Sequence, residues 1–185
     1  MITSSRCRTV VAAALCSVML GGCGVIPLPH FGSGNSADKQ SDSMTPDQAM
    51  AQVVGTGRQL RKVARLEDVS GGGHFQSCDD VGSPPYRGYL EMSSVLPPGV
   101  TADAYARQVA DAMIAAGWSE GAPPGKTLYG TVIHQGGVMV VMGGVARAPS
   151  RLAITIYGEC RDMTNHRDDG GTVGRDLTDQ LNDDS

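Results

Sequence analysis

The sequence predicts an α+β domain, with two helices packed on one face of a mostly antiparallel sheet of about five strands in the order α-β-β-α-β-β-β. Three features point there. Two stretches carry apolar residues at helical spacing behind a threonine, several short runs alternate apolar with polar residues, and glycine- and proline-rich breaks separate them.

The first helix is expected over residues 46–66. Thr45 supplies the cap, Pro46 stands at the first helical position, and Gln48 lies three residues after the cap, the spacing of a capping box. Met50, Val53, Val54, Leu60 and Ala64 share a face, while Arg58, Arg61, Lys62 and Arg65 fall mostly elsewhere. Gly55 and Gly57 each cost roughly 1 kcal/mol relative to alanine, so they mark a kink or a close contact. After the break at Gly71-Gly72-Gly73, a short strand is expected near residues 74–78, then turns over 79–85 and a second strand over 86–95. Tyr86, Leu90 and Met92 face one side of that strand, and Arg87 and Glu91 the other.

Pro97-Pro98-Gly99 ends the strand and Thr101 caps a second helix. Tyr105, Val109, Ala112, Met113 and Ala116 line one side of this helix, and Asp103, Arg107 and Asp111 the other. Gly117 suits a left-handed ending, with Trp118 folding back on Met113. Three strands follow over 128–135, 138–145 and 152–161, the first two joined by a tight turn at Gly136-Gly137. The stretch around Val138-Met139-Val140-Val141-Met142 is apolar on both sides, which fits a central strand and, as a second option, the lining of an apolar groove. Leu152, Ile154, Ile156 and Cys160 alternate with Thr155, Tyr157 and Glu159, so Cys160 is expected on the core side. From Asp162 onward, seven aspartates and few apolar residues predict a disordered acidic tail over 162–185.

The amino terminus has a basic start with Arg6 and Arg8, then an apolar run over residues 10–20. That run suits a secretory signal and falls short of the roughly 20 residues needed to span a bilayer. Leu20-Gly21-Gly22-Cys23 has the branched apolar side chain three positions back and the small residues beside the modified thiol that a lipoprotein peptidase requires. Cys16 is the poorer candidate, because bulky Leu15 precedes it. Residues 1–22 therefore read as a lipoprotein signal peptide, 23–44 as a lipidated cysteine with a flexible tether rich in Gly, Ser and Pro, and 45–161 as one domain. The expected location is the extracytoplasmic face of the cell membrane, with the lipid as anchor.

Processing removes two arginines and no acids, leaving 13 basic against 19 acidic residues, net −6. An acidic chain argues against nucleic acid as partner. Processing also resolves the odd cysteine count: Cys7 and Cys16 leave with the signal, Cys23 takes the lipid, and Cys78 and Cys160 remain. In an oxidising compartment these two should form a disulfide across 82 residues, on the order of 4 kcal/mol in the chain-entropy picture; two buried free thiols are the alternative. Neither has the spaced partners of a metal site.

No catalytic signature is present. His30 and His166 fall in segments expected to lack order, and neither a GxSxG elbow nor an HExxH helix occurs. His74 with Asp79 and Asp80 resembles a general-base site only superficially, since turn aspartates and a surface histidine explain them. The glycine runs lack the lysine and spacing of a phosphate loop. No catalytic, cofactor or metal residue is assigned.

One resemblance is carried by order and spacing. The lipobox is followed by Asp47-Gln48-Ala49-Met50, Ser77-Cys78-Asp79-Asp80, Pro84-Pro85-Tyr86-Arg87-Gly88, Ala112-Met113, Gly117-Trp118, Pro123-Pro124-Gly125 and Gly158-Glu159-Cys160-Arg161. Over most of residues 45–165 this is similar to the small mycobacterial lipoproteins of the LppJ type. The resemblance implies a cell-envelope lipoprotein with no established activity, and it carries over a role only for Cys23, Cys78 and Cys160. The function expected is a non-enzymatic, membrane-tethered domain that binds an envelope protein or glycan through its sheet or the turns at 79–87. A carrier or sensor of an apolar ligand held between helices and sheet is the alternative, and an unrecognised hydrolase a third.

Overall fold

The computed structural model describes residues 43–125 and 128–184. The expected signal peptide, the lipid site at Cys23 and nearly all of the tether lie outside the described residues. In chain order the elements are α1 (Pro46–Ala64), β1 (Ser70–Ser77), β2 (Tyr86–Val95), α2 (Ala102–Ala115), β3 (Ser119–Glu120), β4 (Thr131–Gln135), β5 (Val138–Val145), β6 (Ala148–Tyr157), β7 (Arg175–Asp176) and α3 (Thr178–Asn182). The fold is α+β. The sheet order is β3-β4-β5-β6-β2-β1-β7, antiparallel throughout. It has two strands more than expected, the two-residue covers β3 and β7 at its edges.

Local chemistry sets the two long helices. Thr45 and Gln48 form the reciprocal box: Thr45 N–H donates to Gln48 Oε1 at 2.9 Å, and Gln48 N–H to Thr45 Oγ1 at 3.2 Å. Helix α1 ends at Arg65 in the left-handed region, φ 52°. Gly57 marks a close contact, since a Cβ there would stand 2.6 Å from Leu181 Cδ2 and 3.1 Å from Leu90 Cδ2. Helix α2 closes as a Schellman motif, with Trp118 N–H donating to Met113 O at 3.1 Å and Gly117 N–H to Ile114 O at 3.0 Å. Trp118 then joins the core. Val53, Leu60, Val109 and Met113 from these helices meet Leu90, Ile133, Val140, Ile154 and Ile156 from the sheet. Full burial of each is worth about 1.5–3 kcal/mol against leaving it in water.

Four expectations are corrected. The first strand begins at Ser70, so Gly71-Gly72-Gly73 belongs to β1 and does not break the chain before it. Strand β4 begins at Thr131, three residues late, because Gly130 sits left-handed (φ 99°) where a Cβ would meet Met142 O at 2.7 Å. Strand β6 runs from Ala148 to Tyr157 and stops short of Cys160. Gly158 there passes tightly against α1, where a Cβ would lie 2.9 Å from Gln52 Oε1, and Glu159 N–H donates to that same oxygen at 2.9 Å. Cys160 is therefore exposed and does not point to the core. It is bonded to Cys78, with Cα atoms 6.0 Å apart, between the segments that follow β6 and β1.

The fourth correction concerns the carboxy terminus. Residues 162–184 form a strap folded onto the domain, in place of a disordered tail. Asp162 and Tyr86 exchange backbone hydrogen bonds of 3.0 and 2.6 Å, and β7 pairs with Gly72 and Gly73. Leu177 and Leu181 are inserted into the core at 1% and 0% exposure. The glycines of β1 make this possible. A Cβ on Gly73 would stand 2.8 Å from Leu177 Cδ1, and one on Gly71 would stand 2.9 Å from Leu181 Cδ1. The acidic composition hid two apolar anchors whose receptor is a glycine-lined strand.

Candidate functional site

The histidines separate into three settings. His166, on the strap, is 2% exposed and stacks on Phe75 with ring centroids 4.0 Å apart and planes 5° apart, while Tyr86 meets it edge-on. Its Nε2 faces Asp162 Oδ2 at 2.9 Å and its Nδ1 faces Asp169 Oδ2 at 2.6 Å. Both nitrogens are committed to carboxylates, so neither can take a proton from a nucleophile in this arrangement. The Asp169 carboxyl is held below its usual range, first by the Gly171 backbone N–H at 2.7 Å and further by His166. This node fastens the strap.

His74 and Asp79, considered together in the sequence, serve different structures. Asp79 Oδ1 accepts from Ser83 N–H at 2.9 Å, Val81 N–H at 3.1 Å and Ser77 Oγ–H at 2.8 Å. Those bonds, that from Ser83 foremost, lower its carboxyl, and they close the turn. The turn is tied to the strap as well, because Arg167 donates to the carbonyls of Gly82 and Val81. His74 instead packs against Tyr89, with centroids 4.6 Å apart. His134 Nδ1 lies 2.9 Å from Gly121 O.

His74 and His134 stand at the two ends of one row. Register places His134 opposite Met139, Met139 opposite Tyr157, Tyr157 opposite Tyr89 and Tyr89 opposite His74, so five side chains cross β4, β5, β6, β2 and β1 in line. They lie on the face turned away from the buried row Ile133, Val140, Ile156 and Leu90, which the helices cover. Tyr89 and Tyr157 meet edge-to-face at 5.3 Å. Met139 is buried by its neighbours on this side yet stands apart from the main core.

Polar groups flank the row. Arg87 lies 4.8 Å above the Tyr157 ring, and its Nε and Nη2 donate to Gln76 Oε1 at 2.9 and 2.6 Å. Burial lowers the pKa of this guanidinium. On the other flank the Tyr89 hydroxyl donates to Glu91 Oε1 at 2.6 Å, and burial, reinforced by Glu91, pushes the phenol well above its ordinary range. Sequence alternation put Arg87 and Glu91 on the wet face, and Tyr89 lies between them. It could not show that Tyr89 and Tyr157, 68 positions apart, are level.

Both edges of the sheet are covered. Strand β3 pairs with β4, where Gly121 N–H also donates to Val132 O at 2.8 Å; β7 pairs with β1, where Phe75 N–H donates to Gly171 O at 2.8 Å. A cleft of about 490 Å³ lies beside α2 and β4, lined by Arg107, Asp111, Glu120, Ile114, Leu128 and Val132 among others. Among the described residues, no cluster of three or more His, Cys, Asp or Glu is arranged to hold a metal, and no helix is long and apolar enough to cross a membrane.

Comparison with known proteins bears on the whole domain. A family model described as "Putative lipoprotein LppJ" matches residues 45–180. The LppJ lipoproteins of Mycobacterium bovis and Mycobacterium tuberculosis are 39% identical over 176 residues, covering 94% of this chain and 91% of theirs. No solved structure matches significantly.

Proposed function

This chain belongs to the LppJ lipoprotein family, and from that premise we propose that it is anchored by a lipid on Cys23, on the extracytoplasmic side of the cell membrane, as a non-enzymatic module that binds another component of the envelope. The binding surface is the helix-free face of the sheet. The observation that carries this reading is the aligned row from His134 to His74, where aromatic and polar groups stand level across five strands on the side opposite the one that the helices cover. Covered edges leave strand addition without a template, which favours the face over the rim.

The carrier reading has no comparable support. Positions between helices and sheet are filled by side chains such as Val53, Leu60, Leu90 and Ile156, all at 0% exposure. The open cleft beside α2 carries three charged residues, which suits an apolar ligand poorly.

Two measurements test the proposal. Mass spectrometry of the native mature protein should find a diacylglyceryl-modified cysteine at position 23 as the first residue; an unmodified thiol there defeats the anchor. A photo-crosslinking residue placed at Thr155, on the open face, should capture an envelope component that the same probe at exposed Arg107 on α2 does not. Equal capture from both sites defeats the assignment of the face.

A further inference from the structure

Helix α1 carries its charge in one stripe. Arg58, Arg61, Lys62 and Arg65 follow the i, i+3, i+4, i+7 spacing that sets side chains above one another on a helix, and no acid occurs in the sequence between Asp47 and Glu67. Of the 13 basic residues left after signal removal, these stand within two helical turns. Ala49, Val53 and Leu60, each at 0% exposure, hold the other side of the helix in the core. A wet helix side is served best by mixed signs, because like charges four residues apart repel, as Arg58 with Lys62 and Arg61 with Arg65 must. Such a stripe calls for a counter-charge.

In this structure the chain's own end supplies it. Arg58 Nε donates to Gln180 O at 2.6 Å, and its Nη2 stands 3.8 Å from Asp183 Oδ2. Arg61 is paired with Asp184 and reaches Asn182 O at 3.4 Å, while Lys62 Nζ lies 3.5 Å from Asp184 O. These two acids do not dock the strap. Leu181 ends its buried part at 0% exposure, and beyond it Asp183 and Asp184 keep 50% and 74% of their side-chain surface in water. Ion pairs so exposed are weak and screened by salt, so the last residues can lift off while Leu177 and Leu181 stay seated. The cover is also incomplete, since no ion pair of Arg65 is found among the described residues.

Which anion takes the place of these carboxylates follows from where the chain enters the domain. Residues 24–44, at most about 70 Å of chain when extended, join Cys23 to Thr45, and α1 is the first element after them. With a lipid on Cys23, the reading on which this inference rests, the stripe is held within reach of headgroup phosphates. A soluble anion would instead have to be recruited against the net negative charge of the chain. The anchor supplies attachment, so the stripe need only set which side of the domain faces the bilayer. Its field acts over about 8 Å at physiological salt, and acids elsewhere on the domain do not cancel it. We propose that Arg58, Arg61, Lys62 and Arg65 dock the domain on the anionic lipid surface to which it is anchored, and that Asp183 and Asp184 form a competing cover that lipid phosphates displace.

The test uses the full-length lipidated protein reconstituted in vesicles of phosphatidylcholine, alone or mixed with phosphatidylglycerol. A photo-crosslinking residue replaces Gly55, which lies one turn before Arg58 and where a Cβ would meet nothing within 4 Å. Lipid adducts at this position should be about threefold or more as abundant on the anionic vesicles, and should fall back in concentrated salt. The same probe at Thr155, on the helix-free side of the sheet, should show no such rise. Joint replacement of Arg58, Arg61, Lys62 and Arg65 by glutamine should bring the yield down to that on neutral vesicles. Asp183→Asn with Asp184→Asn should raise it about twofold on anionic ones. Thermal unfolding of each variant separates lost docking from lost fold. Equal yields on the two vesicles, a parallel rise at Thr155, or indifference to the glutamine variant overturns the docking; indifference to the asparagine variant overturns the cover. In native envelopes, an acidic protein captured at Gly55 in place of lipid overturns the choice of occupant. The anchor is checked separately, by the mass of the amino-terminal peptide from the same vesicles: an unmodified Cys23 sinks the anchoring reading, while selective adducts at Gly55 would still sustain the stripe.

Discussion

On β4, β5, β6 and β2, Ile133, Val140, Ile156 and Leu90 stand level with one another at 0% exposure; one residue away on each strand stand His134, Met139, Tyr157 and Tyr89. The first row contains only branched aliphatic side chains and disappears beneath the helices. The second contains rings, sulfur and hydroxyls and is flanked by polar groups, Arg87 over the Tyr157 ring and Glu91 at the Tyr89 hydroxyl. A sheet covered on one side ordinarily turns plain polar residues to water, so the choice of large amphipathic side chains on the second row calls for a role beyond solubility. The same backbone thus presents two faces of different chemistry, and substitutions should separate their contributions to stability.

The sharpest separation is expected from neighbouring residues on β6. Ile156→Ala should lower the free energy of unfolding by about 2–5 kcal/mol in a urea titration, whereas Tyr157→Ala should cost about 1 kcal/mol. Equal costs would show that the open face is as much a part of the core as the covered one. Next in size, joint replacement of Cys78 and Cys160 by serine should cost about 2–4 kcal/mol by releasing an 82-residue closure. It should leave binding at the open face unchanged, since the bridge touches neither row.

His166→Leu should cost about 2–3 kcal/mol, because it strips Asp162, at 0% exposure, of the imidazole. Hydrogen exchange should locate the damage on the strap, with the Phe75 N–H that donates to Gly171 O exchanging faster and the central strands unaffected. The smallest effect concerns acid. Asp79, Asp169 and Asp176 all titrate below the ordinary carboxylate value of 3.8 in the folded chain. Below pH 3.8 the unfolded chain therefore binds protons that the folded chain refuses; stability is fully present above that pH and is lost as pH falls through the folded values. Asp176→Asn, which retains an oxygen for the Thr178 N–H, should flatten this acid limb slightly and leave neutral-pH stability nearly unchanged.

What could be read in advance was local. The capping box at Thr45, the glycine ending at Gly117 and the alternation in β2 depend on residues within a few positions of one another, and each stands as expected. What could not be read depends on partners far away in the chain. Gly71 and Gly73 look like a break until Leu181 and Leu177 are found against them, and Leu177 and Leu181 look like stray apolar residues among aspartates until the glycines are found. Cys160 continues the alternation of β6 on paper, but Gly158 closes against Gln52 and Val53 of α1 and turns the chain out of the sheet. The open-face row is a property of register, so its histidines were visible as residues and invisible as a line. One faint signal was available, since Leu177 and Leu181 have the four-residue spacing of a short helix.

The entry of the chain into the domain has a mechanical meaning. Met44, the last residue before the capping box, donates its N–H to Arg161 O at 2.9 Å, and Arg161 follows Cys160 directly. Tension arriving from an anchor at Cys23 would thus be applied beside a covalent staple, and Cys78 would pass the load to the far end of β1. Helix α1, whose capping box lies only one residue further on, is shielded from being peeled off first. Were the root of the domain put under load, the covalent staple beside it would be the last part to give way.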